Sequence, residues 1–221
     1  MSNKQLLVIC ASIILFMVGV ALCVPHVIKK INLINATNKD NVCILFMDVW
    51  NELPWSYDRV DELMELQNID ENEAKHRIDV WLEWWNKDVA VHSKNVIVPL
   101  LKFVRENNLE IIFSRNGVDL LPELENLIYK EPIINLSDDL DAYLKGKGLK
   151  TIYYAGYATN NCVWGNSTGM KNMAWLGYNV ILIKDASLPI PYQVLTYEEV
   201  LVEISKVGEF ITVKEFMEKY Q

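Results

Sequence analysis

Short, unbroken apolar runs alternate with longer amphipathic stretches from residue 42 to the C-terminus. The runs are VCILFMD (42–48), EIIFS (110–114), KTIYYAG (150–156) and NVILIKD (179–185), with a shorter FITV at 210–213. Strands that are covered by helices on both faces have such continuous runs, whereas half-solvated strands alternate apolar and polar residues. Helices are predicted between them, at 94–107, 137–147, 163–176 and 196–206. The pattern predicts an α/β fold with three layers, α/β/α, around a mainly parallel, Rossmann-like sheet.

A tryptophan-rich segment at about 50–92 interrupts this alternation and predicts a helical insert. The spacing of Trp81, Trp84 and Trp85 places their side chains on one helical face. This face could pack on the sheet or on a partner subunit, which is the commoner role of such a face. Alternatively, it could form a lid over an apolar substrate pocket or rest on a membrane surface.

An uncharged apolar run precedes the domain, from Leu6 to Val24. As a helix it would extend about 28 Å, close to the ~30 Å hydrocarbon core of a bilayer. We therefore predict an N-terminal hydrophobic anchor helix within residues 1–30, a linker at 31–40 and a catalytic domain at 41–221. A cleaved signal peptide and a buried globular helix are the alternatives. Lysines flank both ends of the run, so the side of the membrane on which the domain lies stays open.

Charge and composition exclude other classes of function. The net charge of −8 is spread along the chain, and Lys and Arg form no stripe with interleaved aromatic residues. Nucleic acid is therefore excluded as a partner. The chain has three histidines without zinc-site spacing and no CxxC pair, so no metal or other cofactor is predicted.

Residues that follow the predicted strands are the first candidates for chemistry, because ligands bind at the carboxyl ends of parallel strands. Asp48 closes the first strand, Cys162 follows the strand at 150–156 through a short turn, and Asp185 ends the run at 179–185. At the start of a helix, the dipole would lower the pKa of the Cys162 thiol from ~8.5 toward ~7. Asp48 would oppose this shift, so we expect it either to accept the thiol proton or to be balanced by a cation, for which Lys130 is the candidate. Asp185 is expected to fix a loop by hydrogen bonds.

The segment GYATNNCVWGNSTGMKNMAWLGYNVILIKDA resembles the signature of the isochorismatase-like cysteine hydrolases, the superfamily of nicotinamidases and N-carbamoylsarcosine amidases. ILFMDVWN resembles the first strand of that family with its catalytic aspartate, and the likeness covers roughly residues 41–219. The resemblance implies Cys162 as the nucleophile, Asp48 as the base and Lys130 as the third catalytic residue. The metal-binding aspartate–x–histidine element of nicotinamidases is missing from SRNGVDLLPEL, and no metal is implied.

The resemblance also implies a cis peptide bond between Ala158 and Thr159 in the turn before Cys162. The oxyanion would be held by the N–H group of Cys162 and that of a preceding turn residue, from Thr159 through Asn160 to Asn161. Candidates for substrate binding are Trp50, Arg115 and Asn135. Arg115 could grip a substrate carboxylate or form a structural salt bridge.

Together these features predict a membrane-tethered hydrolase that cleaves a small amide or related C–N bond through a thioester. The small-molecule substrate is not specified, and the resemblance suggests a homo-oligomer. The serine–alanine–phenylalanine element that often follows the family's lysine is missing near Lys130. The alternative is therefore a binding or scaffold domain that keeps the fold and has lost catalysis.

Overall fold

The computed structural model describes residues 41–49, 56–114, 124, 127–128 and 130–221. These residues contain a six-stranded parallel sheet with the strand order β3-β2-β1-β4-β5-β6. The strands are β1 (Val42–Met47), β2 (Glu110–Ser114), β3 (Ile133–Ile134), β4 (Thr151–Tyr157), β5 (Asn179–Leu188) and β6 (Glu209–Ile211). The predicted α/β fold with a parallel central sheet is confirmed, and β3 is an additional short strand.

The helices that flank the sheet are α1 (Val60–Gln67), α2 (Glu71–Glu83), α3 (Ala90–His92), α4 (Val98–Glu106), α5 (Ser137–Lys147), α6 (Met170–Trp175), α7 (Tyr197–Val207) and α8 (Val213–Tyr220). The π-helical turns Trp84–Val89 and Ser93–Ile97 join α2, α3 and α4 into one helical run at 71–106. The second turn lies just before Pro99, which has no N–H group and would crowd the carbonyl of Asn95 in a regular helix.

The helix predicted at 163–176 is wrong at 166–169, where the chain is not helical. A π-helical turn, Thr159–Val163, comes first, and α6 begins only at Met170. The chain between them is held to the sheet through Thr168. Its hydroxyl lies 2.7 Å from that of Ser114, and its carbonyl accepts a hydrogen bond from Tyr154.

The tryptophan-rich insert packs on the body of the domain at two of its tryptophans. Trp81 and Trp84 are buried, and Trp81 Nε1 donates to the carbonyl of Pro191 at 3.2 Å. The ring of Trp84 meets that of Tyr157 edge-on, with centroids 6.4 Å apart. The packing interpretation is therefore confirmed for Trp81 and Trp84.

The predicted anchor at residues 6–24 and the linker lie outside the described residues, so membrane attachment stays a prediction. Within the ranges given above, no helix is long and apolar enough to cross a membrane.

The order of the strands places a crevice between β1 and β4. β2 and β3 lie on one side of β1, whereas β5 and β6 lie beyond β4. Ligands of open α/β sheets bind at such a reversal, outside the carboxyl ends of the strands. Asp48 directly follows β1, and Cys162 follows β4 by five residues.

Gly156 permits β1 and β4 to approach closely at this crevice. Its φ is +125°, and an added Cβ would lie 1.9 Å from the carbonyl oxygen of Met47. We expect Gly156→Ala to lower the free energy of unfolding by about 3 kcal/mol or more, because backbone must move on both strands. Denaturant unfolding measures this. Gly146→Ala is the control, since Gly146 lies in α5 with open space around it. Equal stability of the two variants would contradict the prediction.

Candidate active site

Asp48 and Cys162 meet at the carboxyl ends of β1 and β4. Both are buried, with 1% of Asp48 and 7% of Cys162 exposed. The Asp48 carboxylate lies close enough to the Cys162 thiol to raise the pKa of the thiol through its charge and as a hydrogen-bond acceptor. Two residues far apart in the sequence are thus brought into contact, as the strand order requires.

The backbone at both strand ends is left-handed. Asp48 has φ 49° and Ala158 has φ 58°, and neither is a glycine. Such conformations cost roughly 1–2 kcal/mol each and gather at functional sites. The described residues contain no cis peptide bond, so the cis bond predicted between Ala158 and Thr159 is wrong. The left-handed Ala158 turns the chain instead.

The Cys162 thiol is held in its neutral form. Burial raises its pKa, and the negative charge and hydrogen-bond acceptance of Asp48 raise it further. The expected lowering of this pKa is therefore wrong. Cys162 is the fourth residue of the turn Thr159–Val163, not the first, so the N–H groups at the helix start lie ahead of it. A nucleophilic sulfur here needs a base, and Asp48 is already in contact with the proton.

Proton transfer within this pair creates no additional charge. Before transfer the carboxylate carries the charge, and afterwards the sulfur carries it. Burying a second charge would be costly, whereas moving one charge between neighbouring atoms avoids that desolvation. A buried Asp48–Cys162 pair can therefore generate a thiolate at the moment of attack.

The turn before Cys162 offers a limited set of oxyanion donors. The N–H group of Asn161 donates to the carbonyl of Ala158 at 2.9 Å, as does that of Val163 at 3.2 Å. Asn161 is therefore wrong as an oxyanion donor. The N–H groups of Thr159, Asn160 and Cys162 remain candidates. The Thr159 hydroxyl is a further donor that sequence reasoning missed, since it is buried and lacks a hydrogen-bond partner among the described residues.

Comparison with known proteins agrees with this architecture. Residues 85–191 match the family model of the isochorismatase domain, a range that includes Cys162. A cysteine hydrolase from Pseudomonas syringae pv. phaseolicola 1448A has a TM-score of 0.52 at 15% identity, over 83% of this chain and 93% of that protein. An isochorismatase family protein from Burkholderia thailandensis has a TM-score of 0.51 at 16% identity, over 82% and 96%. The fold is isochorismatase-like. A search of curated proteins finds no significant match.

Asn160 fastens the turn Thr159–Val163 of this isochorismatase-like domain to the segment 188–197. Its side-chain nitrogen donates to the carbonyls of Ile190 at 3.1 Å and Leu195 at 2.9 Å, and its oxygen accepts from the N–H of Ile190 at 2.9 Å. The Asn160 side chain thus holds these two segments together. Sequence reasoning named Asn160 only as a candidate oxyanion donor and did not predict this structural role.

We expect Asn160→Asp to lower the free energy of unfolding by about 2–4 kcal/mol, because carboxylate oxygen would replace a donor facing two carbonyls. Thermal unfolding at neutral pH measures the loss. Asn161→Asp is the matched control, since Asn161 is the exposed neighbour in the same turn. If both variants lose a similar amount of unfolding free energy, the added charge is responsible and not the loss of the Asn160 hydrogen bonds.

Lys130 is exposed and precedes β3 by three residues. Its backbone N–H donates to Glu131 at 3.0 Å. Ile134, the last residue of β3, pairs with Ser114 of β2. The exposed Asn135 comes next and lies at the carboxyl edge of the sheet. Catalytic and substrate-binding roles for Lys130 and Asn135 stay predictions. The described ranges hold no group of three or more His, Cys, Asp or Glu side chains able to bind a metal.

The candidates Trp50 and Arg115 lie outside the described residues, so their roles stay predictions as well. Asp185, by contrast, lies within the described residues. It is exposed, and β5 continues past it to Leu188, so it does not end the strand. Its carboxylate accepts a hydrogen bond from the N–H of Val213 at 2.7 Å. The predicted structural role is confirmed, since this bond holds the start of α8.

Proposed function

We propose that this protein is an isochorismatase-like cysteine hydrolase that cleaves a small amide or related C–N bond. The observation that carries the proposal is the burial of the Cys162 thiol beside the Asp48 carboxylate, at the carboxyl ends of β1 and β4. Tethering to a membrane through residues 6–24 and assembly into a homo-oligomer belong to the same proposal.

The first half of the reaction forms a thioester. Cys162 Sγ attacks the substrate carbonyl carbon while its proton passes to Asp48. N–H groups of the turn before Cys162 bind the oxyanion. When the C–N bond breaks, Asp48 returns the proton to the departing amine nitrogen.

The second half releases the acid. Water attacks the thioester carbonyl and gives one proton to Asp48, and the C–S bond breaks. Asp48 then returns that proton to the sulfur, which restores the neutral thiol. Lys130 would orient the pair and balance its charge, the role that the resemblance implies for it.

A catalytically inactive binding domain with this fold is the second candidate. The raised pKa of Cys162 favours it, because many active cysteines have a lowered pKa. Substrate turnover separates the two candidates.

The test is to incubate the full chain with a panel of small amides and ureides and to follow ammonia release. Acid quenching and peptide mass spectrometry then locate any acyl adduct. The proposal expects an adduct on Cys162 with each substrate that releases ammonia. The buried Cys43 is the internal control and should carry none. Ammonia release without a Cys162 adduct contradicts the mechanism, and no release from any compound supports the inactive domain.

A further inference from the structure

A cavity of about 770 Å³ lies between the helical segment 84–97 and the segment 188–197. Its walls are mainly apolar and aromatic, and they include Trp84, Val91, Val96, Ile190, Tyr192 and Leu195. Its volume falls within the ~300–1,000 Å³ of small-molecule sites, and it opens to solvent.

The cavity lies behind the turn Thr159–Val163, here called the nucleophile turn because it carries the proposed nucleophile Cys162. Asn160 contributes to its wall, whereas neither Cys162 nor Asp48 does. Residues two apart in a helical turn do not face each other, so Cys162 and Asn160 lie on different faces of the turn. The cavity is therefore a second space, separate from the position where the proposed reaction would occur.

The polar groups around the cavity favour a neutral ligand. Lys87 and Asp88 carry opposite charges, and Lys87 pairs with Glu83 at 2.6 Å on the surface. Asn95 and Gln193 add uncharged amide donors and acceptors. An apolar pocket with a few polar groups of this kind selects a mainly apolar molecule with one or two hydrogen-bonding atoms.

We propose that this cavity is a regulatory site for a neutral, partly aromatic small molecule, and that its occupancy is transmitted to the nucleophile turn through Asn160. The Asn160 side chain bonds Ile190 and Leu195, and both residues also line the cavity. A ligand that moves the 188–197 segment therefore moves the turn that carries Cys162.

The probe for the test is 2-naphthol, a fluorescent neutral aromatic alcohol without a bond that a hydrolase could cut. Its anisotropy is titrated with the full chain. We expect saturable binding with a Kd below about 1 mM. Val91→Trp should fill the cavity and weaken binding about tenfold or more. Val202→Trp is the matched control, since both valines are helical and similarly exposed, at 56% and 58%, and Val202 lies in α7 away from the cavity.

The second readout is the rate at which iodoacetamide alkylates Cys162. Saturating 2-naphthol should change this rate about threefold or more in the original chain and in Val202→Trp, but not in Val91→Trp. Absence of saturable binding, or equal binding by both variants, overturns the site, and binding without a change in alkylation overturns the coupling. Probe binding that weakens as protein concentration rises would show that a second copy covers the cavity, which also overturns the proposal. None of these readouts depends on hydrolysis, so their failure is distinct from failure of the proposed function.

Discussion

Asp48→Asn is expected to slow hydrolysis by about 10²–10⁴-fold, the usual contribution of a general base. The same substitution is expected to speed alkylation of Cys162 by iodoacetamide. Asp48 raises the pKa of the thiol through its charge and hydrogen bond, and asparagine carries no charge. The pKa of Cys162 should therefore fall in this variant. Burial, the largest cause of the raised pKa, still keeps it above the ordinary value for a thiol. A fall of one unit gives about ten times more thiolate below that pKa.

The pH dependence of alkylation follows from the same shift. In the original chain, the rate should keep rising with pH from 7 through 10, because the raised pKa leaves most of the thiol protonated. In Asp48→Asn the curve should move to lower pH. Cys43 is the internal control, since burial and Glu110, not Asp48, raise its pKa. If alkylation and hydrolysis slow together, Asp48 is not the group that holds the thiol neutral.

Cys162→Ser is expected to reduce hydrolysis by about 10³-fold or more while the protein stays folded. A serine hydroxyl can still donate to Asp48, but it is a much weaker nucleophile than a thiolate in this setting. Cys162→Ala should be equally inactive and also less stable by about 1–3 kcal/mol, because the buried carboxylate loses a hydrogen-bond donor.

Steady-state ammonia release and thermal unfolding of the three proteins check these two effects separately. Hydrolysis by Cys162→Ser within about tenfold of the original rate would remove Cys162 from the mechanism. Equal stability of the serine and alanine variants would show that the hydrogen bond to Asp48 contributes little to folding.

Local pattern was sufficient for several elements. The strand at 110–114 and the helix at 137–147 have the predicted bounds, because each has its own composition and end signals. The helical run at 71–106 joins the predicted helical insert to the predicted helix at 94–107 through π-helical turns, which shift the helical phase. A window of regular helical spacing does not reveal such a shift.

The approach of Asp48 to Cys162 was predictable from the sequence, but the electrostatics of the pair were not. Strand ends indicated Asp48 and Cys162, since topology alone brings the ends of neighbouring parallel strands together. The pKa of Cys162 depends instead on burial and on the approach of Asp48, which are tertiary properties. Likewise, the interruption before α6 depends on a contact between Ser114 and Thr168, which are 54 positions apart.

The pairing of β1 with β4 also has a kinetic consequence. Val42 pairs with Thr151, so more than a hundred residues must be synthesised and ordered before the two strands can meet. Contacts of such high sequence separation form slowly in folding. Asp48 and Cys162 therefore become neighbours only when this long-range pairing is complete. Until this pairing forms, the Cys162 thiol lacks Asp48 as its neighbour, so the proposed catalytic pair would be assembled in a late step of folding.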